Sequence, residues 1–468
     1  MARSRTVKKE NSKVIGGVNA KLILALILCF AWVTRVYRLE VPKTYYFDEV
    51  YHAFTAEAYS RNDPAGYEWW HTSPIQGTAY EWLHPPISKL LMGLSIHTFG
   101  NISYAWRLPS AIFGILVIAA IYWLTVSLTQ KREIGLLAAF LGSLDGLLLT
   151  QSRIAMNDIF VTFFVLMALA YYWKWWLQSI PGSAAGATRS WDLSLWLSGV
   201  FTGLAVSTKW SGVFVVGIVG LWEIMMAGFG IGKLISDRKL ITKPQKIIES
   251  LKQTLFRGVM RVVKLLLVFG VLPVVIYVAS YGQWWLQGHT WKQFGELHNQ
   301  IWWYETNLKA THPYQSKPWQ WVLDLKPVWF WVDYTQTGDI GNIYALANPA
   351  IAWLGLGAMA WLLIYGVMKK KPELVFVLLS YLAVWGPWTL SPRIMFFYHY
   401  TPAIPFLVIA LAYLVWWLWQ TKRRWARVVA TALIAIPVIL FIYFFPHWTG
   451  IIVPVEWADQ YYWFKSWK

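Results

Sequence analysis

The sequence has one cysteine in 468 residues, and only 14% of its residues are charged. Cys29 has no second cysteine to pair with, which excludes a disulfide within the chain and a thiolate metal site. The charge is unbalanced, with 41 lysines and arginines against 23 aspartates and glutamates, a formal net charge of +18. Because 57% of the residues are hydrophobic, a chain in contact mainly with water is excluded as well.

Long, nearly uncharged runs recur along the whole sequence. An α-helix of about 20 apolar residues crosses the roughly 30 Å hydrocarbon layer of a bilayer. Eleven such spans are predicted, so the expected fold class is an all-α polytopic membrane protein. The predicted spans are 20–39, 104–128, 134–150, 155–177, 192–207, 211–229, 261–282, 348–367, 372–390, 395–419 and 427–446. The 34 tryptophans and 25 tyrosines fit belts of amphipathic rings at the two membrane interfaces.

Basic clusters predict the orientation, because short cytoplasmic loops carry an excess of lysine and arginine. With the N-terminus in the cytoplasm, every cluster between spans falls inside: 130–133, 233–264, 369–371 and 422–427. The basic start lacks a small-residue cleavage site, so the first span is expected to remain as a signal anchor. Anionic membrane lipids, and not nucleic acid, are the partners this distribution favours. We expect an integral protein of the cytoplasmic membrane with its C-terminus outside.

This topology gives one transmembrane catalytic domain, 1–446, and an extracytoplasmic tail, 447–468. The large outer loops are 40–103 and 283–347. Within the first loop, a proline pair opens the segment 84–98, which is expected to form a helix along the outer surface.

Two segments between spans are also interpretable. The stretch 231–264 is basic and amphipathic, and a helix lying on the cytoplasmic lipid surface is expected there. The stretch 181–190 has the composition of a flexible loop. No internal repeat of the kind found in two-halved transporters is visible in the sequence.

Two adjacent carboxylates, Asp48 and Glu49, follow the first span. Neighbouring side chains on a helix point about 100° apart, so the two cannot both face one substrate atom. One carboxylate is therefore expected to act at a site, the alternative being that both face outer water.

Further polar residues are predicted on the same outer side. Ionisable groups at membrane depth cost roughly 2.5 to 3.5 kcal/mol on insertion scales and usually mark a ligand site or pathway. The set comprises His84, Lys89, Arg107, Arg153, Asp158, Lys209, Arg393 and His399. We expect these groups to share a polar cavity, although snorkelling to lipid head groups would explain each cation taken alone.

The mixture of charges indicates a chemistry. Several guanidinium and ammonium groups beside a bilayer suit a phosphate whose tail stays in lipid. A carboxylate in the same cavity suits a general base that removes a proton from a hydroxyl nucleophile. Together they predict transfer of a group from a lipid phosphate.

A metal site is a weaker interpretation of the same region. Asp48 and His52 are spaced i, i+4, with His71 and His84 further along. A helical pair supplies only two ligands, and no HExxH or cysteine pattern completes a site. No metal and no other cofactor is therefore expected to be required. The tryptophans of 283–347 are expected to anchor at the interface, with stacking on a sugar or acceptor peptide as the alternative.

Six segments also carry a family resemblance. In chain order they read YFDEVYHA, WLHPPISKLL, YAWRLPSAIFG, SRIAMNDIFVTFF, GLAVSTKWSGVF and PRIMFFYHYTPAIPF. Their order resembles the protein O-mannosyltransferase family over about residues 20–445. The resemblance implies the C-type membrane glycosyltransferase fold with extracytoplasmic loop helices. It also implies transfer of mannose from a polyprenyl-phosphate-mannose lipid to Ser or Thr of unfolded or translocating exported proteins, with inversion at the sugar.

The resemblance also implies roles for individual residues. Asp48 would be the catalytic base, with Glu49 in support. The residues expected at the donor phosphate are Arg107, Arg153, Arg393, Lys89 and Lys209. The residues expected to shape the cavity are His84, Asp158 and His399.

The sequence departs from the family in two places. Segment 283–347 has about 65 residues and is too short for the β-trefoil module of larger eukaryotic relatives, so a short bacterial-type member is expected. The sequence AMND replaces the family's Leu-Leu-Asp, which makes the role of Asp158 less direct.

Other functions remain open on the sequence alone. A transferase for another sugar or for a lipid acceptor would keep the same residues. A non-catalytic lipid-phosphate transporter or flippase would need charges leading to both faces of the membrane. A structural scaffold would leave the outer cluster of charges unexplained.

Overall fold

The computed structural model describes residues 19–180, 191–236 and 244–468. The basic start and the loop expected at 181–190 lie outside the described residues, as does part of the basic segment 231–264.

Helices make up most of the described chain. The first half contains α1 (Ala20–Val36), α2 (Glu49–Ser60), α3 (Ile87–Phe99), α4 (Ser103–Thr129), α5 (Arg132–Ser143), α6 (Gly146–Gln151), α7 (Asp158–Ser179), α8 (Trp191–Val206) and α9 (Phe214–Ser236). The second half contains α10 (Pro244–Leu266), α11 (Leu272–Ser280), α12 (Gly282–Leu286), α13 (Trp291–Asn307), α14 (Pro318–Val322), α15 (Pro349–Met368), α16 (Pro372–Trp385), α17 (Ile404–Gln420), α18 (Arg424–Thr449) and α19 (Val455–Gln460).

Within the described residues, eight helical stretches are long and apolar enough to cross a membrane. The other three predicted spans, 20–39, 134–150 and 192–207, correspond to shorter helices. In the second of these, Asp145 caps α6 by accepting a hydrogen bond from Leu148 N at 2.8 Å, which ends α5 at Ser143. The multi-pass helical architecture is confirmed, whereas the number of eleven spans is not.

Two further segments expected to be helical are helices in the structure, whereas their placement on the membrane surface stays a prediction. The segment predicted at 84–98 forms α3, which packs on α2 so closely that a side chain at Gly93 would meet Ala56 O at 2.8 Å. The part of the amphipathic segment from Pro244 onward lies in α10. This helix continues without a break through a π-helical stretch, Leu267–Val271, into α11. The stretch Leu255–Ser280 is one of the candidate spans, so the segment and the seventh span form one continuous helix.

A small antiparallel sheet between the second large loop and the tail was not expected from the sequence. Its strands are β1 (Val328–Tyr334), β2 (Asp339–Ala345) and β3 (Ile452–Pro454), in the order β1-β2-β3. The tail therefore pairs with the second outer loop, and Trp467 Nε1 donates a hydrogen bond to Asp324 O at 2.7 Å. β1 and β2 form a hairpin of neighbouring segments, which the sequence analysis missed. β3 has three residues and pairs with β2 about a hundred residues earlier in the chain, so local patterns could not reveal it.

The core lies around α4, α7 and α17. Among the candidate spans, α7 and the stretch Phe397–Gln420 have the largest buried shares, 83% and 78%. Aromatic rings from α4 and α7 pack together, with the ring centroids of Phe113 and Phe160 4.5 Å apart. This rigid centre holds in place the N-terminus of α7 and the segment before α17, on which the polar cavity is built.

Candidate active site

A cavity of about 610 Å³ lies between the first outer loop, the N-terminus of α7 and the segment before α17. Six of the ten predicted site residues line it, namely Asp48, His84, Asp158, Lys209, Arg393 and His399. The shared polar cavity expected from the sequence is therefore present. Glu49, Lys89, Arg107 and Arg153 are not on its wall.

Asp48 presents its carboxylate to this cavity. It occupies the N-cap position of α2, but its side chain makes no capping hydrogen bond. The Tyr398 hydroxyl donates a hydrogen bond to Asp48 Oδ2 at 3.3 Å. Burial raises the pKa of Asp48 to about 6, against the opposing effect of the Tyr398 hydrogen bond. A carboxylate that titrates close to neutral pH is a better general base than a fully exposed one.

Glu49 points away from the cavity and is fully buried. Its two carboxylate oxygens accept hydrogen bonds from Arg107 Nε and Nη2, both at 2.8 Å. Trp106 Nε1 and Ala155 N also donate to it, at 3.2 and 3.1 Å. The structure thus gives Glu49 a structural role, because it ties α2 to α4 and to the connection before α7.

Arg107 and Arg153 are placed differently from the expectation that they hold a phosphate. Besides Glu49, Arg107 donates to the carbonyls of Leu39 and Pro42, at 3.0 and 2.7 Å. Arg153 Nη1 donates to the carbonyls of Arg35 and Tyr37, at 2.9 and 2.7 Å. The last carbonyls of a helix have no partner within it, and α1 ends at Val36. The two guanidinium groups satisfy carbonyls at this end of α1 and just beyond it.

Lys89 is also engaged inside the protein. Its Nζ donates to the carboxylate and carbonyl of Glu81 and, at 2.9 Å, to the carbonyl of His84. Glu81 in turn lies 2.6 Å from His84 Nδ1 and accepts from His84 N at 3.0 Å. Burial alone would raise the pKa of Glu81, but Lys89 and His84 outweigh it and hold that pKa well below the usual value. Lys89 therefore fixes the position of His84 and does not line the cavity itself.

The structure places two of the predicted cations, Lys209 and Arg393, on the cavity wall. Lys209 Nζ lies 2.7 Å from Asp158 Oδ1, and Asp158 is in the first turn of α7, where the helix dipole favours a negative charge. Arg393 pairs with Glu305 of α13. Both cations reach the cavity with a carboxylate already beside them.

Three site residues were missed by the sequence analysis: Glu81, Glu305 and Tyr398. Glu81 lies three residues before His84, and Tyr398 directly precedes His399, so both lay beside residues already selected. Nothing in the sequence connects Glu305 to the site, because it comes from the tryptophan-rich outer loop and meets Arg393 only in the folded protein.

The possible metal ligands do not converge. In the described part of the chain, no group of three or more His, Cys, Asp or Glu side chains is arranged to hold a metal ion. His52 lies beside Glu81, with Nδ1 3.6 Å from Oε2, and burial lowers its pKa to about 3. A metal-independent reaction stays a prediction.

Comparison of the sequence with models of known protein families finds two matches. The model for dolichyl-phosphate-mannose-protein mannosyltransferase matches residues 25–283. The model for the C-terminal four TMM region of protein-O-mannosyltransferase matches residues 290–467.

Two curated relatives are both named polyprenol-phosphate-mannose–protein mannosyltransferase. The protein from Corynebacterium glutamicum is 28% identical over 82% of this chain and 81% of its own length. The protein from Mycolicibacterium smegmatis is 24% identical over 95% of this chain and 92% of its own length.

Two solved structures share the fold. The Saccharomyces cerevisiae protein O-mannosyltransferase Pmt1-Pmt2 complex bound to the sugar donor matches with a TM-score of 0.76 and 16% identity, covering 96% of this chain and 92% of that chain. ArnT from Cupriavidus metallidurans bound to undecaprenyl phosphate matches with a TM-score of 0.54 and 15% identity, covering 92% and 76%. The expected C-type membrane glycosyltransferase fold is confirmed, and the chain belongs to the dolichyl-phosphate-mannose-protein mannosyltransferase family, a family of glycosyltransferases.

Proposed function

We propose that this chain transfers mannose from a polyprenyl-phosphate-mannose lipid to Ser or Thr hydroxyl groups of exported proteins. One observation carries the proposal: Asp48 shares a single cavity with Lys209 and Arg393. A base for a hydroxyl nucleophile and cations for a leaving phosphate are the two functions this reaction needs. The names of the bacterial relatives support the same donor and the same class of acceptor.

The proposed reaction is a single displacement. The acceptor hydroxyl oxygen forms a bond to C1 of mannose while the bond from C1 to the phosphate oxygen breaks. The hydroxyl proton passes to the Asp48 carboxylate, and the electron pair of the broken bond leaves with the phosphate. Lys209 and Arg393 balance the charge of that phosphate, and the configuration at C1 inverts.

The proposed location is the cytoplasmic membrane, with the cavity at its outer face and the N-terminus inside. The basic clusters between spans support this orientation, because they fall on one side. Exported, unfolded or translocating proteins would then meet the cavity from outside, and the lipid donor would reach it from the bilayer. No cofactor is assigned to the reaction, so chelation of divalent metal should leave transfer intact.

The test is transfer with defined components. Purified protein in lipid would be incubated with radiolabelled polyprenyl-phosphate-mannose and a Ser/Thr-rich peptide from an exported protein. We expect label on the peptide, its release by mild β-elimination, and none on a matched peptide with Ala in place of Ser and Thr. Label on a lipid would point to a different acceptor. Movement of the donor across the bilayer without release of sugar would favour a transporter.

A further inference from the structure

Three basic side chains on the cavity wall each lie beside a carboxylate. Lys209 pairs with Asp158, His84 with Glu81, and Arg393 with Glu305. In each pair the carboxylate offsets positive charge that a phosphate ligand would use. A phosphate that enters the cavity therefore competes with these carboxylates for the same donors.

The three carboxylates differ in how firmly they are held. The side chains of Asp158 and Glu81 are 3% and 7% exposed, whereas that of Glu305 is 26% exposed. Asp158 belongs to the buried helix α7, and Glu81 is fixed by Lys89 and the backbone of His84. Glu305 lies in the last turn of α13, a helix of the outer loop with large exposed side chains such as Trp302 and Trp303.

Glu305 also occupies a suitable position. A smaller pocket, which shares wall residues with the cavity, is lined by Glu305 together with His84, Lys209, Arg393 and His399. A lysine, an arginine and two imidazoles thus lie around one partly exposed carboxylate. An anion placed in this smaller pocket would compete with Glu305 for Arg393, because one guanidinium fork matches either a carboxylate or a phosphate.

From this geometry we infer that Glu305 is an exchangeable counter-ion, which holds Arg393 in the empty cavity and is displaced by the lipid phosphate. The inference rests on the proposed function and deepens it, because it names a residue that sets affinity for the donor. Glu305 is a positioning residue that acts through Arg393 and does not touch the reacting atoms.

The exchange has a consequence for the end of the reaction. The donor phosphate is a diester with one negative charge, whereas the product polyprenyl phosphate is a monoester with up to two, since a second phosphate pKa lies near 6. The product therefore holds Arg393 more strongly than the donor does. Return of Glu305 to Arg393 would help release the product. A displaced Glu305 also repels the more highly charged product more strongly, so its loss should tighten product binding more than donor binding.

The test is the variant Glu305→Gln, which keeps the size of the side chain and removes its charge. Equilibrium binding of radiolabelled undecaprenyl phosphate should tighten about fivefold, the upper range for a partly exposed ion pair. The KM for the donor should fall by a smaller factor. Glu296→Gln is the matched control, because Glu296 lies on the same helix and only approaches Lys292 at 4.0 Å. It should leave both quantities unchanged.

A double variant tests whether Arg393 carries the effect. In an Arg393→Gln background, Glu305→Gln should no longer change the affinity for undecaprenyl phosphate. Unchanged or weaker binding by the single variant would overturn the inference, as would full tightening without Arg393. A fall in kcat with unchanged binding would overturn it too, since Glu305 would then act in the chemistry.

The binding assay contains neither sugar nor acceptor, so the two proposals can fail separately. If the wild-type protein binds undecaprenyl phosphate and Glu305→Gln tightens that binding, but no mannose is transferred, only the proposed function fails. If mannose is transferred but Glu305→Gln does not tighten binding, only the role of Glu305 fails. A wild-type protein that binds no lipid phosphate contradicts both.

Discussion

Two charged regions lie side by side at one end of the helix bundle, and they use their charges in opposite ways. The cavity brings Asp48, Lys209 and Arg393 together around open space. Next to it, Glu49, Arg107 and Arg153 form a buried clamp whose hydrogen bonds all run to the protein itself. The same residue types thus line an open cavity in one region and form a buried hydrogen-bonded cluster in the other.

Adjacent residues show the difference most directly. Asp48 faces the cavity and has one hydrogen bond from a neutral hydroxyl, whereas Glu49 accepts from a guanidinium, an indole and the backbone. Burial without a strong partner raises the pKa of Asp48, so that it can take up a proton, whereas both oxygens of Glu49 are committed to donors within the protein. Asp48 is therefore suited to act as a base, whereas Glu49 is suited to stabilise the fold.

Asp48→Asn should have the largest effect on turnover. The amide cannot accept the hydroxyl proton, so kcat should fall by at least about 100-fold, the usual contribution of a general base. Thermal unfolding should not occur at a lower temperature, because burial opposes ionisation of Asp48 at neutral pH. Asp63→Asn is the matched control: Asp63 caps a turn in the same outer loop through Ala65 N and should be dispensable for transfer. Near-normal turnover by Asp48→Asn would show that Asp48 is not the general base, and the cavity would then have no catalytic residue that the clamp lacks.

Glu49→Gln should act on stability first. It leaves the Arg107 guanidinium buried without its charged partner, and breaking such a pair costs about 3–5 kcal/mol. We expect a large loss of folded protein in thermal unfolding, with the remaining folded fraction still able to transfer mannose. Glu57→Gln on the same helix is the control, because its pair with the exposed Arg61 is worth at most about 1 kcal/mol. Inactive but fully stable Glu49→Gln protein would place Glu49 in the reaction.

Arg393→Gln should raise the KM for the donor about tenfold and change kcat less, because one charge-assisted contact to the phosphate is lost. Arg107→Gln should instead lower the unfolding temperature without a selective change in donor KM. Initial rates at varied donor concentration, measured alongside thermal unfolding, separate the two. Equal KM effects in both variants would mean that the phosphate contacts the clamp as well.

The pH dependence gives the smallest but most specific effect. Asp48 must be ionised to act, and burial raises its pKa to about 6, so kcat/KM should decline as pH falls through about 6. Tyr398→Phe removes the hydroxyl that stabilises the ionised carboxylate, so the pKa should rise further and the acid limb should move to higher pH. An acid limb unmoved in this variant would show that another group controls it.

The sequence predicted the cavity better than it predicted the clamp. The sequence predicted that Asp48 and Glu49 diverge, and they do, although Asp48 lies at the N-cap of α2 and only Glu49 lies within the helix. The partners of Arg107 and Arg153 include backbone carbonyls, and carbonyls look the same in every sequence, so phosphate was the more obvious ligand. From the sequence alone, arginines that are predicted to lie together suggest an anionic ligand.

Long-range contacts account for the other differences. The pairing of Ile340 with Val453 and the ion pair of Arg393 with Glu305 join residues that only the tertiary fold brings together. Apolar length predicted most spans, but Asp145 interrupts one of them through a helix cap that hydropathy does not register. The elements predicted correctly were those specified by local pattern.

A structure with polyprenyl-phosphate-mannose bound would test the division between cavity and clamp most directly. The distances to measure are those from the phosphate oxygens to Lys209 and Arg393 at the cavity and to Arg107 and Arg153 in the clamp. The phosphate should lie within hydrogen-bond distance of Lys209 or Arg393, with C1 of the sugar on the side of Asp48 and the clamp unchanged. A phosphate held by Arg107 or Arg153, with the sugar turned away from Asp48, would contradict this assignment.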